Sequence, residues 1–410
     1  MFAGARPGTE ADAVLGAVPS WVYAPRTVED ARQFVESTAK EGLALGFIGG
    51  GTALELGAPL SRFDALLRTT GFAKIIEYAP ADMIVTVEAG MTLAALSETL
   101  RQQGQWLALD PPAPDRATVG GVVAANSFGP RRARFGSVRD LLIGISVIRA
   151  DGALAHGGGK VVKNVAGFDI PKLMCGSLGT LALIATATFR LHPLPEMQRT
   201  AIVRYCSAEN LRKLLARVKL GQLEPTSVVG FSTEAGRFEV ALRFEGFAAG
   251  VTQQVKKFAE LQQAAGEKCE LLNDGDAQSW WLRQNDARLR GELRVKVAAL
   301  PNQIDLILPK LDAVREQLTD ARFVWYASLG LGFLSGTPSD LTAASRALAE
   351  ARSHLQKAGG TLVLQGASPT IRRTIGEWGT NPNAFSIMQR MKERFDPQQR
   401  LNPGRFVGGI

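Results

Sequence analysis

The sequence predicts an α+β fold with at least two domains, and three observations support that prediction. The chain has 410 residues, of which 46% are hydrophobic, so it exceeds one small domain and can fill more than one core. Stretches with the two-residue alternation of strands are interspersed with stretches of helical periodicity. Three glycine-rich segments each follow a predicted strand. Their order indicates a loop-lined binding site in the first half of the chain.

The first predicted elements lead into the first glycine-rich segment. Thr27 is expected to cap a helix, and Asp30 stands three residues later, as in a capping box. A short strand at 46–48 runs into FIGGGTALELG. Strands near 74–78 and 83–88 follow, and Thr92 is expected to cap a helix that extends to about residue 103.

Residues 110–129 are rich in Pro, Gly and small side chains and are too apolar for a solvated linker. We predict a packed binding loop with one helix inside it. Strands are predicted at 141–149 and 153–156, and the apolar stretch 178–191 is predicted to be a buried strand. The segment HPLP at 192–195 is a natural boundary.

The second half of the chain predicts an antiparallel sheet with helices on one side. Its predicted strands are 201–205, 227–232, 239–244, 292–299, 323–331 and 360–365, and its predicted helices are 208–220, 251–265 and 341–358. A last helix at 384–395 precedes a turn-rich ending, FDPQQRLNPGRF.

Charge and cysteine content limit the possible functions. A net charge of +8 favours an anionic cofactor, an anionic membrane surface or nucleic acid. The densest basic group, Arg131, Arg132, Arg134 and Arg139, lies in a glycine-rich segment and not on a long basic helix, so we expect no binding of nucleic acid. The three cysteines are too far apart for a disulfide framework or a metal cradle, so no metal site is expected.

No stretch approaches the roughly 20 apolar residues that span a bilayer. The first residues lack the order of a secretory signal. We therefore expect a protein of the cytoplasm, either free or at the inner face of the cell membrane.

The first glycine-rich segment suits a dinucleotide pyrophosphate. Gly49, Gly50 and Gly51 can present backbone N–H groups to anionic oxygens without a Cβ in the way, and Thr52 adds a hydroxyl donor. A side chain at Gly50 is therefore expected to exclude the cofactor. A tight turn without a ligand is the alternative. The segment is neither a Rossmann nor a Walker motif.

The second and third glycine-rich segments are TVGGVVAANSFGPRRARFGSVRDLLIG and GGGKVVKNVAGFDIPKLMCGSLGTLALI. The ordered set resembles the vanillyl-alcohol oxidase and p-cresol methylhydroxylase (PCMH) superfamily, and within it the FAD-binding subunits of bacterial glycolate oxidases. The resemblance implies a PCMH-type FAD-binding domain of two α+β subdomains at 1–195 and an α+β, antiparallel-sheet cap domain at 196–383. It also implies that 384–410 return to the FAD domain. The cofactor would be FAD.

The resemblance assigns residues to the cofactor site. Gly49 to Thr52 would contact the pyrophosphate, Lys163 the pyrimidine edge of the flavin, and Asn402 a ring oxygen. A solvated lysine and a plain C-terminal turn are the alternatives for the last two. The full predicted set is Ile48, Gly49, Gly50, Gly51, Thr52, Ala53, Pro111, Pro112, Thr118, Val119, Gly120, Gly121, Asn126, Gly129, Gly136, Lys163, Gly179, Ile184 and Asn402.

The sequence departs from the superfamily pattern in ways that affect catalysis. Phe168 and Leu178 stand where related dehydrogenases often carry Tyr and Glu. Members that oxidise 2-hydroxyacids use a histidine base in a particular segment of the cap domain, and none of His156, His192 and His354 lies in that segment. Covalent members attach the flavin through His or Cys near the first two glycine segments, where this chain has neither, so we expect non-covalent FAD.

Three functions remain open at this point. The first is an electron-transferring FAD subunit of a glycolate oxidase complex, with a larger FAD-linked oxidase subunit and an iron-sulfur subunit as partners. The complex would then handle the small 2-hydroxyacid. The second is a self-sufficient D-2-hydroxyacid oxidase or dehydrogenase, with Tyr326, Arg283 and Arg294 as candidate site residues. The third is a scaffold that has lost its flavin, which the complete glycine set argues against.

Overall fold

The chain forms two compact units in the computed structural model, which describes residues 4–161 and 167–410. The first unit comprises Met1–Phe128, Gly136–Pro193 and Thr380–Ile410. The second comprises Gly129–Phe135 and Leu194–Gly379. Each unit has its own buried apolar core.

The strands of the first unit form two main sheets. In chain order they are β1 (Arg6–Pro7), β2 (Trp21–Tyr23), β3 (Leu45–Ile48), β4 (Ala65–Arg68), β5 (Ile75–Ala79), β6 (Ile84–Glu88), β7 (Gln105–Trp106), β8 (Leu142–Ile148), β9 (Leu154–Gly158), β10 (Leu183–Arg190) and β11 (His192–Pro193). One sheet has the order β1-β2-β4-β3, in which β2, β4 and β3 are parallel. The other is antiparallel, in the order β5-β6-β10-β8-β9, and β7 pairs with β11.

Helices connect these strands, and one of them, α3, contributes residues to the site described below. They are α1 (Val28–Lys40), α2 (Leu93–Arg101), α3 (Val119–Ala125), α4 (Arg132–Phe135), α5 (Val138–Leu141) and α6 (Ile170–Met174), of which α4 belongs to the second unit. The predicted capping box of α1 is present, with Thr27 accepting from Asp30 N at 3.0 Å. Thr92 caps α2 as expected. The buried face of α1 contributes Ala31, Phe34 and Val35 to the core.

The second unit is one antiparallel sheet with helices packed on it. Its strands are β12 (Met197–Cys206), β13 (Ser227–Glu234), β14 (Arg237–Gly246), β15 (Glu270–Leu272), β16 (Leu293–Ala298), β17 (Leu318–Tyr326), β18 (Leu331–Pro338) and β19 (Thr361–Gly366). They are arranged β15-β12-β14-β13-β17-β18-β16-β19. The predicted α+β fold class is confirmed.

The helices of the second unit are α7 (Ala208–Leu220), α8 (Ala248–Ala264), α9 (Asp274–Ala287), α10 (Ile304–Arg315), α11 (Leu341–Lys357) and α12 (Pro369–Ile375). The last helix, α13 (Phe385–Phe395), belongs to the first unit. Single turns of 3₁₀ helix occur at Glu10–Asp12, Thr69–Gly71, Pro80–Asp82, Pro301–Gln303 and Val407–Gly409.

Two predicted strands have different limits in the structure. The stretch 323–331 is the end of β17, a turn and the start of β18, because the chain reverses after Tyr326. The stretch 178–191 becomes a strand only at Leu183. No described helix is long and apolar enough to cross a membrane.

Candidate functional site

A cleft in the first unit collects parts of all three glycine-rich segments and the C-terminal segment. It encloses about 400 Å³, including its open mouth. Its lining includes the predicted residues Ile48, Gly49, Gly120, Gly121, Gly179, Ile184 and Asn402. It also includes Leu178, named above as a departure from the superfamily pattern, and residues that sequence reasoning missed: Phe47, Thr69, Ala89, Ala124, Ala182 and Leu183.

The first glycine segment packs tightly against the second. A Cβ on Gly49 would lie 2.1 Å from Thr118 Oγ1, and one on Gly50 would lie 1.5 Å from the carbonyl oxygen of Arg116. Both contacts are too close for any side chain. Gly51 follows with φ of +73°, in the left-handed region that favours glycine. The glycines therefore let two loops of the protein approach each other.

The second segment begins the helix that lines the cleft. Thr118 caps α3 through its hydroxyl, which accepts from Gly121 N at 3.3 Å. Gly120 packs on Ala89, since a Cβ there would lie 2.7 Å from the Ala89 Cβ. At Gly121, by contrast, a Cβ would meet only Thr118 Oγ1, at 3.1 Å. Gly121 thus leaves one side of α3 open.

The third segment is tied to α3 by backbone hydrogen bonds. Gly176 N donates to Val123 O at 3.0 Å, and Leu178 N donates to Ala124 O at 2.9 Å. Leu178 itself has φ of +52°, a conformation that is uncommon outside glycine. Gly179 then packs on Asn402, with the Asn402 Nδ2 only 2.6 Å from a Cβ at that position.

Asn402 joins the first and third segments. Its Nδ2 donates to Leu178 O at 2.8 Å, and its Oδ1 accepts from Phe47 N at 3.3 Å. Asn402 is 5% exposed and has φ of +42°. These two hydrogen bonds give its side chain a structural role inside the protein.

The remaining predicted residues lie outside the cleft lining. Thr52 and Ala53 continue the turn after Gly51, Pro111 and Pro112 are buried in the loop before α3, and Thr118 and Val119 are buried at its start. Asn126 ends α3. Gly136 has φ of +85° and packs against Asp140, while Gly129 belongs to the second unit. Lys163 lies outside the described residues.

Two polar atoms on the α3 loop and the third segment are buried without a hydrogen-bond partner among the described residues. They are Asn126 Oδ1 and Ser177 Oγ. Buried polar groups are almost always hydrogen-bonded to protein, water or a ligand, so these two atoms have hydrogen-bonding capacity that the described residues do not use. Leu178, Ala182 and Leu183 add apolar surface to the cleft. A flavin ring, which has apolar faces, suits this apolar lining.

The histidines do not line the cleft. His156 lies on β9, with Nδ1 2.8 Å from Ser146 Oγ. His192 lies on β11, and burial together with Arg190 lowers its pKa. His354 is in the last turn of α11. The part of the chain that the structure describes contains no group of three or more His, Cys, Asp or Glu side chains that could hold a metal ion.

The other candidate residues lie in the second unit. Arg288 donates to Tyr326 Oη at 2.9 Å, and Tyr326 is buried. Burial and the neighbouring guanidinium groups of Arg132 and Arg288 lower the pKa of Lys296 to about 8. Burial and Arg372 also lower the pKa of Arg294.

Arg283, the remaining candidate residue, is more exposed than Lys296 and Arg294. It is largely exposed and pairs with Glu239 at 3.5 Å. Lys296, Arg132 and Arg288 form a local basic cluster. Arg283 does not belong to this cluster.

Comparisons with known proteins agree with this geometry. The family described as "FAD binding domain" matches residues 19–158. The chain is 28% identical to the glycolate oxidase subunit GlcE of Escherichia coli, over 82% of this chain and 85% of that protein.

It is 26% identical to a D-2-hydroxyglutarate dehydrogenase of Xanthomonas citri pv. viticola, over 95% of this chain and 89% of that protein. The fold superposes on p-cresol methylhydroxylase with a TM-score of 0.74 at 16% identity, over 95% of this chain and 88% of that one.

Proposed function

We propose that this chain, an FAD-dependent oxidoreductase with the PCMH-type FAD-binding fold, is the FAD-binding subunit of a glycolate oxidase-type complex that oxidises 2-hydroxyacids. The observation that carries the proposal is a cleft suited to FAD in a chain whose three histidines lie on β9, on β11 and in the last turn of α11. The chain would bind a flavin there without presenting the usual base to a 2-hydroxyacid.

FAD, when bound, supplies the redox chemistry, because its ring accepts and returns electrons. The chain's own residues would hold it. Gly121 and Gly179, which line the cleft, would border the ring. The apolar surface of Leu178 and Leu183 would keep water from the ring faces.

Removing the proton of a hydroxyl group requires a base within hydrogen-bond reach of the substrate. Among the described residues, each histidine lies on an element away from the cleft lining. The described residues also include no group of His, Cys, Asp or Glu side chains that could hold a metal centre for electron transfer. We therefore infer two partner proteins, a larger FAD-linked oxidase subunit that oxidises the acid and an iron-sulfur subunit that receives the electrons.

One observation favours a second candidate, a self-sufficient 2-hydroxyacid dehydrogenase. The basic cluster around Lys296, with Arg132 and Arg288, would attract the carboxylate of such a substrate. The neighbouring hydroxyl of Tyr326 could hydrogen-bond the same substrate. A lysine with a pKa of about 8 could also accept a proton at mildly alkaline pH.

Turnover of glycolate and D-lactate by the purified, FAD-loaded chain distinguishes the two candidates. The complex proposal predicts a rate at least about 100-fold below that of the assembly co-purified with its partners, since a positioned base contributes about that much or more. The control is Lys296→Met, which should leave the rate of the lone chain unchanged. Rapid oxidation by the lone chain, lost in Lys296→Met, would overturn the complex proposal and support the second candidate.

A further inference from the structure

The C-terminal segment that begins in α13 contains a buried ion pair. Lys392 and Asp396 lie one helical turn apart, with Lys392 Nζ 2.7 Å from Asp396 Oδ2. Their side chains are 4% and 0% exposed. We propose that this pair is a positioning device, which sets the spacing of the first and third glycine segments for FAD. The proposal rests on the cofactor site described above.

Lys392 reaches from α13 to the third glycine segment. Besides Asp396, its ammonium donates to Thr180 O at 2.8 Å and to Leu401 O at 2.9 Å. An ammonium has three N–H donors, so every donor has a protein acceptor. Thr180 directly follows Gly179, which lines the cleft. The ion pair therefore fixes the position of this segment relative to the C-terminal residues.

Asp396 connects the same pair to the first glycine segment. Its Oδ2 also accepts from Leu401 N at 2.7 Å. Residues Arg400 to Asn402 extend along the edge strand β3, where Leu45 N donates to Arg400 O at 2.7 Å and Asn402 N donates to Leu45 O at 2.8 Å. Strand β3 leads directly into Gly49. The carboxylate thus orients the backbone that lies beside the first segment.

Asn402 completes the connection at the cleft itself. Its amide bridges Phe47 N and Leu178 O, which belong to the first and third segments. Lys392 and Asp396 do not line the cleft, so they act on the cofactor only through Thr180, Leu401 and Asn402.

A buried ion pair is a costly way to stabilise a fold. The desolvation of two charges offsets much of their attraction, and apolar replacements of similar volume are often no less stable. Burial indeed lowers the pKa of Lys392, although Asp396 opposes that shift. What an apolar pair could not supply is the set of directed hydrogen bonds to Thr180 and Leu401. That difference separates a positioning role from a purely stabilising one.

The matched control is Arg400, a second buried cation of the same segment. Its guanidinium donates to Leu43 O at 2.6 Å and Ala150 O at 2.6 Å, and neither acceptor residue lines the cleft. Replacing Arg400 removes a buried charge from the C-terminal segment but removes no hydrogen bond of Lys392, of Asp396 or of the Asn402 side chain.

The experiment compares the double variant Lys392→Met/Asp396→Asn with Arg400→Met in the full chain. Three quantities are measured: the melting temperature of the apoprotein, the dissociation constant for FAD, and the visible circular dichroism of the flavin at saturating FAD. We expect at least about a tenfold weaker FAD affinity and a changed dichroism spectrum for the double variant. Arg400→Met should bind FAD within about twofold of wild type, with an unchanged spectrum, whatever its melting temperature.

Wild-type FAD affinity in the double variant would overturn the proposal. So would losses of affinity in both variants that simply follow their melting temperatures. If the double variant does not fold, Asp396→Asn alone is measured in the same way, because its amide oxygen can still accept from Lys392 and Leu401. That variant should fold and bind FAD more tightly than Lys392→Met. Failure of the wild-type chain to turn over glycolate does not affect any of these outcomes.

Discussion

A side chain at Gly50 would collide with the protein itself. A Cβ at that position would lie 1.5 Å from Arg116 O, and one at Gly49 would lie 2.1 Å from Thr118 Oγ1. The close approach of the first and second segments therefore requires these glycines whether or not FAD is bound. A substitution at Gly50 tests the packing of two loops, so lost flavin in that variant would not by itself locate the cofactor.

Gly121 gives a sharper test of the cleft. In Gly121→Val, the Cβ meets only Thr118 Oγ1, at 3.1 Å, so the side chain should project into the cleft and require only a small shift of that capping hydroxyl. We expect at least about a tenfold loss of FAD affinity with little change in apoprotein melting temperature. The comparison variant, Gly50→Val, should show both a weaker FAD affinity and a lower apoprotein melting temperature. Flavin absorbance per protein and thermal unfolding measure the two effects, and full flavin occupancy in Gly121→Val would show that FAD binds elsewhere.

The residues of the cleft were predictable where they lie on glycine-rich loops. Gly120 and Gly179 stand in segments whose composition indicates a binding site, whereas Asn402 was assigned through the family resemblance. Thr69 and Ala89 come from elements without such a signal, and only the folded chain brings them to the cleft. Ser177 stands in the third glycine-rich segment, which the resemblance assigns to the cofactor site. No sequence pattern shows that its hydroxyl lacks a partner.

At the level of elements, the sequence predicted periodic helices better than turns. The helix at Ala208–Leu220 has the predicted limits, since Ser207 caps it and its apolar positions recur regularly. The continuous stretch 323–331 concealed a hairpin. Leu329 N bonds back to Tyr326 O at 3.0 Å, and Gly330 adopts φ of +66°. Helices α9 and α10 were missed because α9 has a weak apolar pattern and α10 contains Pro309.

An ion-pair cluster attaches the N-terminal segment to the parallel sheet. Asp12 is 1% exposed and accepts from Arg6 on β1 and from Arg68 at the end of β4, both at 2.8 Å. Hydrogen bonds from Arg6, then Arg68, hold the pKa of Asp12 well below its usual range.

A carboxylate with a lowered pKa in the folded state stabilises the fold above its unfolded pKa, near 3.9. That contribution is lost as the pH falls below about 5 toward the folded pKa. We expect Asp12→Asn to lower the melting temperature at pH 7 and to flatten its decline between about pH 5 and 3. Thermal unfolding across this range measures both effects. Parallel pH profiles for wild type and variant would contradict the assignment.

At the level of the whole molecule, the sequence could not show which unit each residue joins. Gly129–Phe135 lie within the second glycine-rich segment, which was predicted to bind the cofactor, yet they belong to the second unit, where Arg131 pairs with Glu245 at 2.5 Å. The two residues are 114 positions apart. Such long-range pairing leaves no local trace in the sequence. The assignment of Gly129 to the cofactor site stays a prediction.

The placement of reactive side chains bears on how the whole chain retains its flavin. A covalent link needs a nucleophilic sulfur or imidazole nitrogen at the ring. No cysteine or histidine lines the described cleft. Cys175 lies in the third segment, but burial raises the pKa of its thiol to about 12, so the reactive thiolate is scarce at neutral pH. His156 is on β9, hydrogen-bonded to Ser146.

We therefore predict that FAD is bound without a covalent bond and that unfolding the chain releases all of it. Acid precipitation of the purified holoprotein should leave a colourless pellet and a supernatant whose flavin content equals that of the starting protein. Cys175→Ser is the control, and its flavin content should match that of wild type because the thiol takes no part in retention. Flavin absorbance in the redissolved pellet would contradict the prediction, and its loss in Cys175→Ser would then identify the attachment point.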